Sequence, residues 1–189
     1  MFPADKLKAK GGEIYAHIFE NRRVGISRSI FWSITLEFEP ISYAREDWKC
    51  SMTCEWIPWR IRDWRDLHDL ELKVAPDDPL IESSFYLVEH DRGKETELLL
   101  QRHEGHLFKV RMSMIVDFTG LTGEDENPEM FVAGETIVPF KGVFVIPDNL
   151  FPKPRTVAEV KEVARVYIEA SAYQEPYQEK HRFILVPLV

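Results

Sequence analysis

Few of the residues able to do chemistry in this sequence fall at the spacings chemistry needs. His103 and His106 flank Gly105 in His103-Glu104-Gly105-His106. Two imidazoles either side of a tight turn can approach one metal ion, with His90 or Glu89 on a neighbouring strand as a third ligand. Glycine and polar residues are also what any hairpin tip contains, so His103 and His106 are weak ligand candidates, and no metal or other cofactor is expected. Glu37, Glu39, Glu89, Glu95, Glu97 and Asp117 fall on predicted strands. An acid/base pair acting on a glycoside needs carboxyl groups ~5–9.5 Å apart, which cross-strand neighbours can supply. With 32 acidic residues such pairs also arise by chance. Asp117 draws notice because it interrupts an apolar strand, where an arginine partner or water would satisfy it. No catalytic residue is assigned.

The motif inventory is mostly one of absences. No glycine-rich phosphate loop precedes a helix, and there is no Gly-x-Ser-x-Gly elbow or His-Glu-x-x-His pair. Cys50 and Cys54 lie four residues apart on a predicted strand. That is ~13 Å, beyond the ~4.4–6.8 Å a disulfide requires, so both are read as buried free thiols of a reducing compartment.

Two clusters have a character suited to binding. Trp48, Trp56, Trp59 and Trp64 lie within 17 residues, interleaved with Arg60, Arg62 and Arg65. Tryptophan and arginine dominate interface hot spots and stack on one another. Trp59, Trp64 and Arg62 are therefore candidate partner contacts. The competing reading is core, since period-two placement puts Trp56 on the same inward face as Cys54 and Met52. Glu124, Asp125, Glu126 and Glu129 form an acidic run in a predicted loop, either a solvated loop or the element that enters a basic cleft.

These residues must be positioned by strands. Phe108, Val110, Met112, Met114, Val116 and Phe118 alternate with Lys109, Arg111, Ser113 and Asp117, the pattern of a strand with one core face. The turn signals Asp91-Arg92-Gly93-Lys94 and His103-Glu104-Gly105-His106 make Glu82 to Phe118 three antiparallel strands. Further strands are predicted over residues 13–20, 30–38, 50–57, 70–74, 136–146 and 182–187, with Gly142 marking a bulge or a tight turn. Residues 59–69 read as an irregular connection with one helical turn, and residues 120–128 as a surface loop. Pro147 to Pro154 is a stiff connector. Thr156 with Glu159 is a capping box opening an amphipathic helix over about 156–171. The expected fold is mainly β (α+β): an antiparallel sheet or β-sandwich with one late helix packed on it, residues 1–12 a loose N-terminal arm and 13–189 one domain.

The 189 residues carry a formal charge of -8 and are 44% hydrophobic. That excludes general disorder and opposes binding to nucleic-acid phosphates or an anionic membrane. No leader or membrane-spanning run is visible in the sequence, so a cytoplasmic address is expected. Small, acidic, β-rich and without a catalytic motif, the chain is similar in general character to bacterial immunity proteins that neutralise toxin domains. That resemblance, which assigns no residue roles, implies a non-catalytic inhibitor occluding a basic toxin or enzyme. The alternatives are a small-ligand-binding protein or enzyme with a pocket in a curved sheet, and a homo-oligomer joined through its tryptophans.

Overall fold

The alternation read from the sequence becomes a closed ring of strands. In a computed structural model the described residues are 2–43, 45–87, 89–117 and 129–189. The strands are β1 (Ala9–Asn21), β2 (Ile26–Phe38), β3 (Ile41–Tyr43), β4 (Glu46–Trp48), β5 (Ser51–Ile57), β6 (Leu70–Val74), β7 (Glu82–Tyr86), β8 (His90–Glu104), β9 (Leu107–Val116), β10 (Met130–Val145), β11 (Tyr177–Glu179) and β12 (Arg182–Leu185). β3 and β4 form a separate two-stranded ribbon. The large sheet runs β1-β2-β5-β7-β8-β9-β10-β12-β11, with β6 beside β8, and β10 also pairs with β1. Seven strands, β1, β2, β5, β7, β8, β9 and β10, thus close on themselves. Each neighbour is antiparallel until the closure. An odd number of alternating strands leaves the last pair parallel, and β1 and β10 are parallel. Closure removes the exposed edges of the ring strands.

Inward-facing residues fill the ring. Phe108, Val110, Met112, Met114 and Val116 are fully buried from β9 alone. Trp32, Phe38, Phe85, Phe108 and Phe140 are each under 2% exposed, with Trp32 and Phe140 rings 5.5 Å apart. One contiguous apolar cluster extends from Phe2 to Leu185.

Several expectations are corrected. The loose arm expected over residues 1–12 is corrected for residues 2–12, because Phe2 is 2% exposed against Phe85 and β1 begins at Ala9. The Gly11-Gly12 pair lies inside β1, where a Cβ on Gly12 would sit 1.9 Å from the Thr35 carbonyl oxygen at φ +142°. Close strand approach, not a linker, requires glycine there. Asp91-Arg92-Gly93-Lys94 is likewise not a turn but the start of β8. A side chain on Gly93 would strike Met114 and Ser83. Gly142 is the bulge residue, at φ +118°, where the β1–β10 register shifts.

The helix is shorter than 156–171. As α1 it spans Val157–Ala164, opened by the Thr156/Glu159 capping box. Its end has a cause in another part of the chain: the Arg62 guanidinium donates to the carbonyls of Arg165, Val166 and Ile168. A side chain satisfying those carbonyls replaces the next helical turn. Among the described residues, no helix is long and apolar enough to cross a membrane.

Candidate protein-binding surface

The outer wall of β1, β2, β5 and β10 carries aromatic side chains where a solvated strand would carry polar ones. In β1, Ile14, Ala16 and Ile18 point into the core, so Tyr15, His17 and Phe19 point outward. His17 pairs across the sheet with Phe31 on β2 and with Phe144 on β10. Phe144 pairs with Ile184 on β12, and Ile184 with Tyr177 on the edge strand β11. Trp56 of β5 completes the row: its ring meets those of His17 at 4.9 Å, Phe19 at 5.0 Å and Phe31 at 5.6 Å. Trp56, Phe31, His17, Phe144, Ile184 and Tyr177 therefore form a stripe across six strands, roughly 24 Å long at sheet spacing. Phe31 and Ile184 are both 4% exposed yet stand outside the core cluster.

Trp56 reaches this wall through a backbone irregularity. Ile34 pairs with Cys54 but Trp32 pairs with Ile57, so β5 holds an extra residue between its two inward side chains. Trp56 takes φ +61°, a left-handed conformation unfavourable for a bulky residue. The bulge reverses the sequence-based placement: Cys54 and Met52 are buried inside, while Trp56 stands outside.

Burial among rings changes the chemistry of His17. Desolvation pushes its imidazole down to about 4, and its buried Nδ1 has no hydrogen-bond partner. At neutral pH His17 is thus uncharged, while the Arg182 guanidinium lies over the neighbouring Phe144 ring at 4.3 Å. Tyr15 donates to Glu55 Oε1 at 3.3 Å, and burial, then the nearby Glu55 and Glu13 carboxylates, push its phenol up despite an opposing Ser33 hydrogen bond.

Beside the stripe lies an acidic hollow of about 810 Å³, lined in part by Glu55, Asp77, Asp78, Glu82, His90 and Arg92. Glu55 and Glu82 are direct cross-strand partners, a like-charge placement that weakens a sheet. Asp78 is engaged locally, accepting from the Leu80 and Ile81 amides, which hold its carboxyl below the usual range. Four carboxylates face one guanidinium, so the hollow favours cations.

The residues nominated from sequence are not brought together. Trp64 is 1% exposed; its indole donates to the Ala172 carbonyl at 2.9 Å and Arg65 stacks on it at 5.0 Å. It is a core residue, and its candidacy as a partner contact is corrected. Arg62 is exposed, and its guanidinium holds the carbonyls that end α1. Trp59 packs against the core and accepts the Trp32 indole through its carbonyl. Glu129 is exposed and paired with Lys94 at 2.7 Å, and Asp117 pairs with the same ammonium at 3.5 Å. Glu124, Asp125 and Glu126 lie outside the described residues.

His103 and His106 gain no further ligand: among the described residues, no three His, Cys, Asp or Glu side chains gather as a metal set. Cys50 and Cys54 are buried and free, their thiols pushed up by desolvation to about 11 and about 12, which leaves them unreactive as nucleophiles.

Sequence reasoning missed the stripe, although its signal was present. Glu13 to Glu20 reads EIYAHIFE, apolar on both faces, and Phe31 breaks the alternation of β2 in the same direction. A strand apolar on both sides expects cover on both sides. No family model, curated protein or solved structure matches the chain.

Proposed function

We propose that this chain is a non-catalytic protein-binding domain that receives a basic partner on the aromatic stripe and the adjoining acidic hollow. The observation that carries this reading is the stripe itself: rings of four ring strands gathered on an outer wall, beside Glu55, Asp77, Asp78 and Glu82, which form no ion pair among the described residues. Partly accessible rings, here those of His17, Trp56 and Phe144 with the exposed Tyr177, beside a charged rim have the composition of interface hot spots. The rim supplies steering and selectivity for a cationic partner. Occlusion of a basic cleft, as immunity-type inhibitors perform it, is the specific form of binding this surface suits. The alternative of a small ligand held inside the curved sheet draws less support, because five buried aromatic residues occupy that interior.

The test is affinity capture from lysate of the source organism with wild-type protein, Trp56→Ala, and Glu55→Gln with Glu82→Gln. One stoichiometric basic partner is expected with wild type, lost with Trp56→Ala and less salt-sensitive with the double glutamine variant. Identical captures by all three would overturn the reading.

A further inference from the structure

A second hollow, of about 610 Å³, opens where β1 turns into β2 and is lined in part by Glu20, Arg22, Ser27, Arg28, Phe151 and Tyr167. Its wall is a built polar network. Glu20, 9% exposed, accepts from Arg22 Nε at 3.1 Å, Arg28 Nε at 2.7 Å and the Phe151 amide at 2.9 Å. The Phe151 carbonyl in turn accepts Nη2 of both arginines, at 3.0 and 2.6 Å. Burial alone would raise the Glu20 carboxyl, but the hydrogen bond and charge of Arg28 bring it below its ordinary value. Glu20 is therefore ionised, and one carboxylate faces two guanidinium groups, a surplus of one positive charge in a chain of net charge -8.

Each guanidinium is fixed by Nε and Nη2, and among the described residues Nη1 of each has no hydrogen-bond partner. Arg22 also stacks on the Phe151 ring at 4.8 Å, and Tyr167 donates to the Arg28 carbonyl at 3.1 Å, which fixes the strand beneath. Guanidinium groups held in place before a ligand arrives lose little freedom on binding it.

We propose that this hollow binds a phosphate-type oxyanion, with Arg22 and Arg28 as charged donors and the Ser27 hydroxyl as a third. Glu20 repels the anion only weakly, since both its oxygens already accept hydrogen bonds. The site is independent of the aromatic stripe, and its ligand is either free phosphate or a phosphate headgroup at a lipid surface.

The test is isothermal titration of the intact chain with inorganic phosphate against chloride at constant ionic strength. Flotation with phosphatidylcholine vesicles, with and without phosphatidic acid, separates the two sources. One-to-one phosphate binding is expected, at least about tenfold weaker in Arg22→Gln. Arg23→Gln, the same charge change on the same turn, should alter it less than about twofold. Arg22 is largely exposed, so the variant should fold. If it does not, Arg22→Lys keeps the charge, loses the second edge, and should weaken binding to a similar extent. Binding only to phosphatidic acid vesicles would identify the headgroup as the source. No binding in either arm, or equal losses in the Arg22 and Arg23 variants, would overturn the proposal and leave the network a clamp for the connector.

Discussion

The two outer walls of this barrel enclose the same kind of interior and are built from opposite chemistry. On the wall of β6, β8, β9 and the first half of β10, outward positions mix ion pairs with exposed apolar residues: Lys73 pairs with Glu97 at 2.7 Å, and Lys109 and Arg111 with Glu135 at 2.8 and 3.1 Å, beside the exposed Phe131 and Ile137. On the wall of β1, β2, β5 and the second half of β10 they carry Tyr15, His17, Phe19, Phe31, Trp56 and Phe144. β10 contributes to both, passing from Glu135 to Phe144 through the Gly142 bulge. Barrel closure needs only the inward alternation, which both walls have. The ion-paired wall demonstrates that polar residues satisfy the outward positions of this fold. Aromatic rings at the outward positions are therefore not required for barrel closure, and on this wall they pack on one another closely enough to bury Phe31.

That contrast can be broken most directly by a charge placed on each wall. Phe31→Lys should cost about 3 kcal/mol or more, because an ammonium would be buried among rings. Phe131→Lys, at a position 66% exposed on the other wall, should stay within about 0.5 kcal/mol. Urea midpoints decide; equal losses would make the walls equivalent.

The next effect is a pH dependence centred on the aromatic wall. Burial depresses the His17 imidazole from 6.5 to about 4, so the unfolded chain binds more protons between those values. Stability from this group is full above about 6.5 and lost as pH falls through 4, by about 3 kcal/mol. Asp91 works in the opposite direction. Burial, then Glu89 and Asp117, push its carboxyl up to about 6, with Oδ2 buried and unpaired. Its folded form holds the proton more tightly, so its penalty is full above about 6 and relieved toward its unfolded value. His17→Phe should flatten the acid-side loss, and Asp91→Asn should raise stability above pH 6, both read from melting temperature against pH.

A smaller effect separates the Trp56 ring from its backbone. Trp56→Gly and Trp56→Ala both delete the ring, but glycine accepts φ +61° without strain. The glycine variant should be the more stable by about 1 kcal/mol, and the reverse order in urea denaturation would mean that the bulge relaxes. The smallest change is expected on the ion-paired wall, where Glu135→Gln should leave the melting temperature unmoved because the pairs are solvent-exposed.

Legibility followed the range of the interactions. The β9 strand, the Gly142 bulge, the capping box and the buried free cysteines were readable because alternation, turn chemistry and capping are local. Trp56 and Trp64 were misplaced in opposite directions. One is turned outward by a bulge set by its pairing with β2, and the other is drawn inward by a carbonyl 108 residues away. The end of α1 was unreadable for the same reason: Arg62, 103 residues from its nearest acceptor, supplies the cap.

By itself, the sequence determined a β-rich domain with an apolar face on nearly every strand, because period two is written into each segment and needs no partner. Closure of the ring, the assembly of six side chains on six strands into one stripe, and the pairing of Glu55 with Glu82 were decided only by tertiary structure. Each depends on the register between segments far apart in the chain, and register is a property of pairs of strands that no single strand carries.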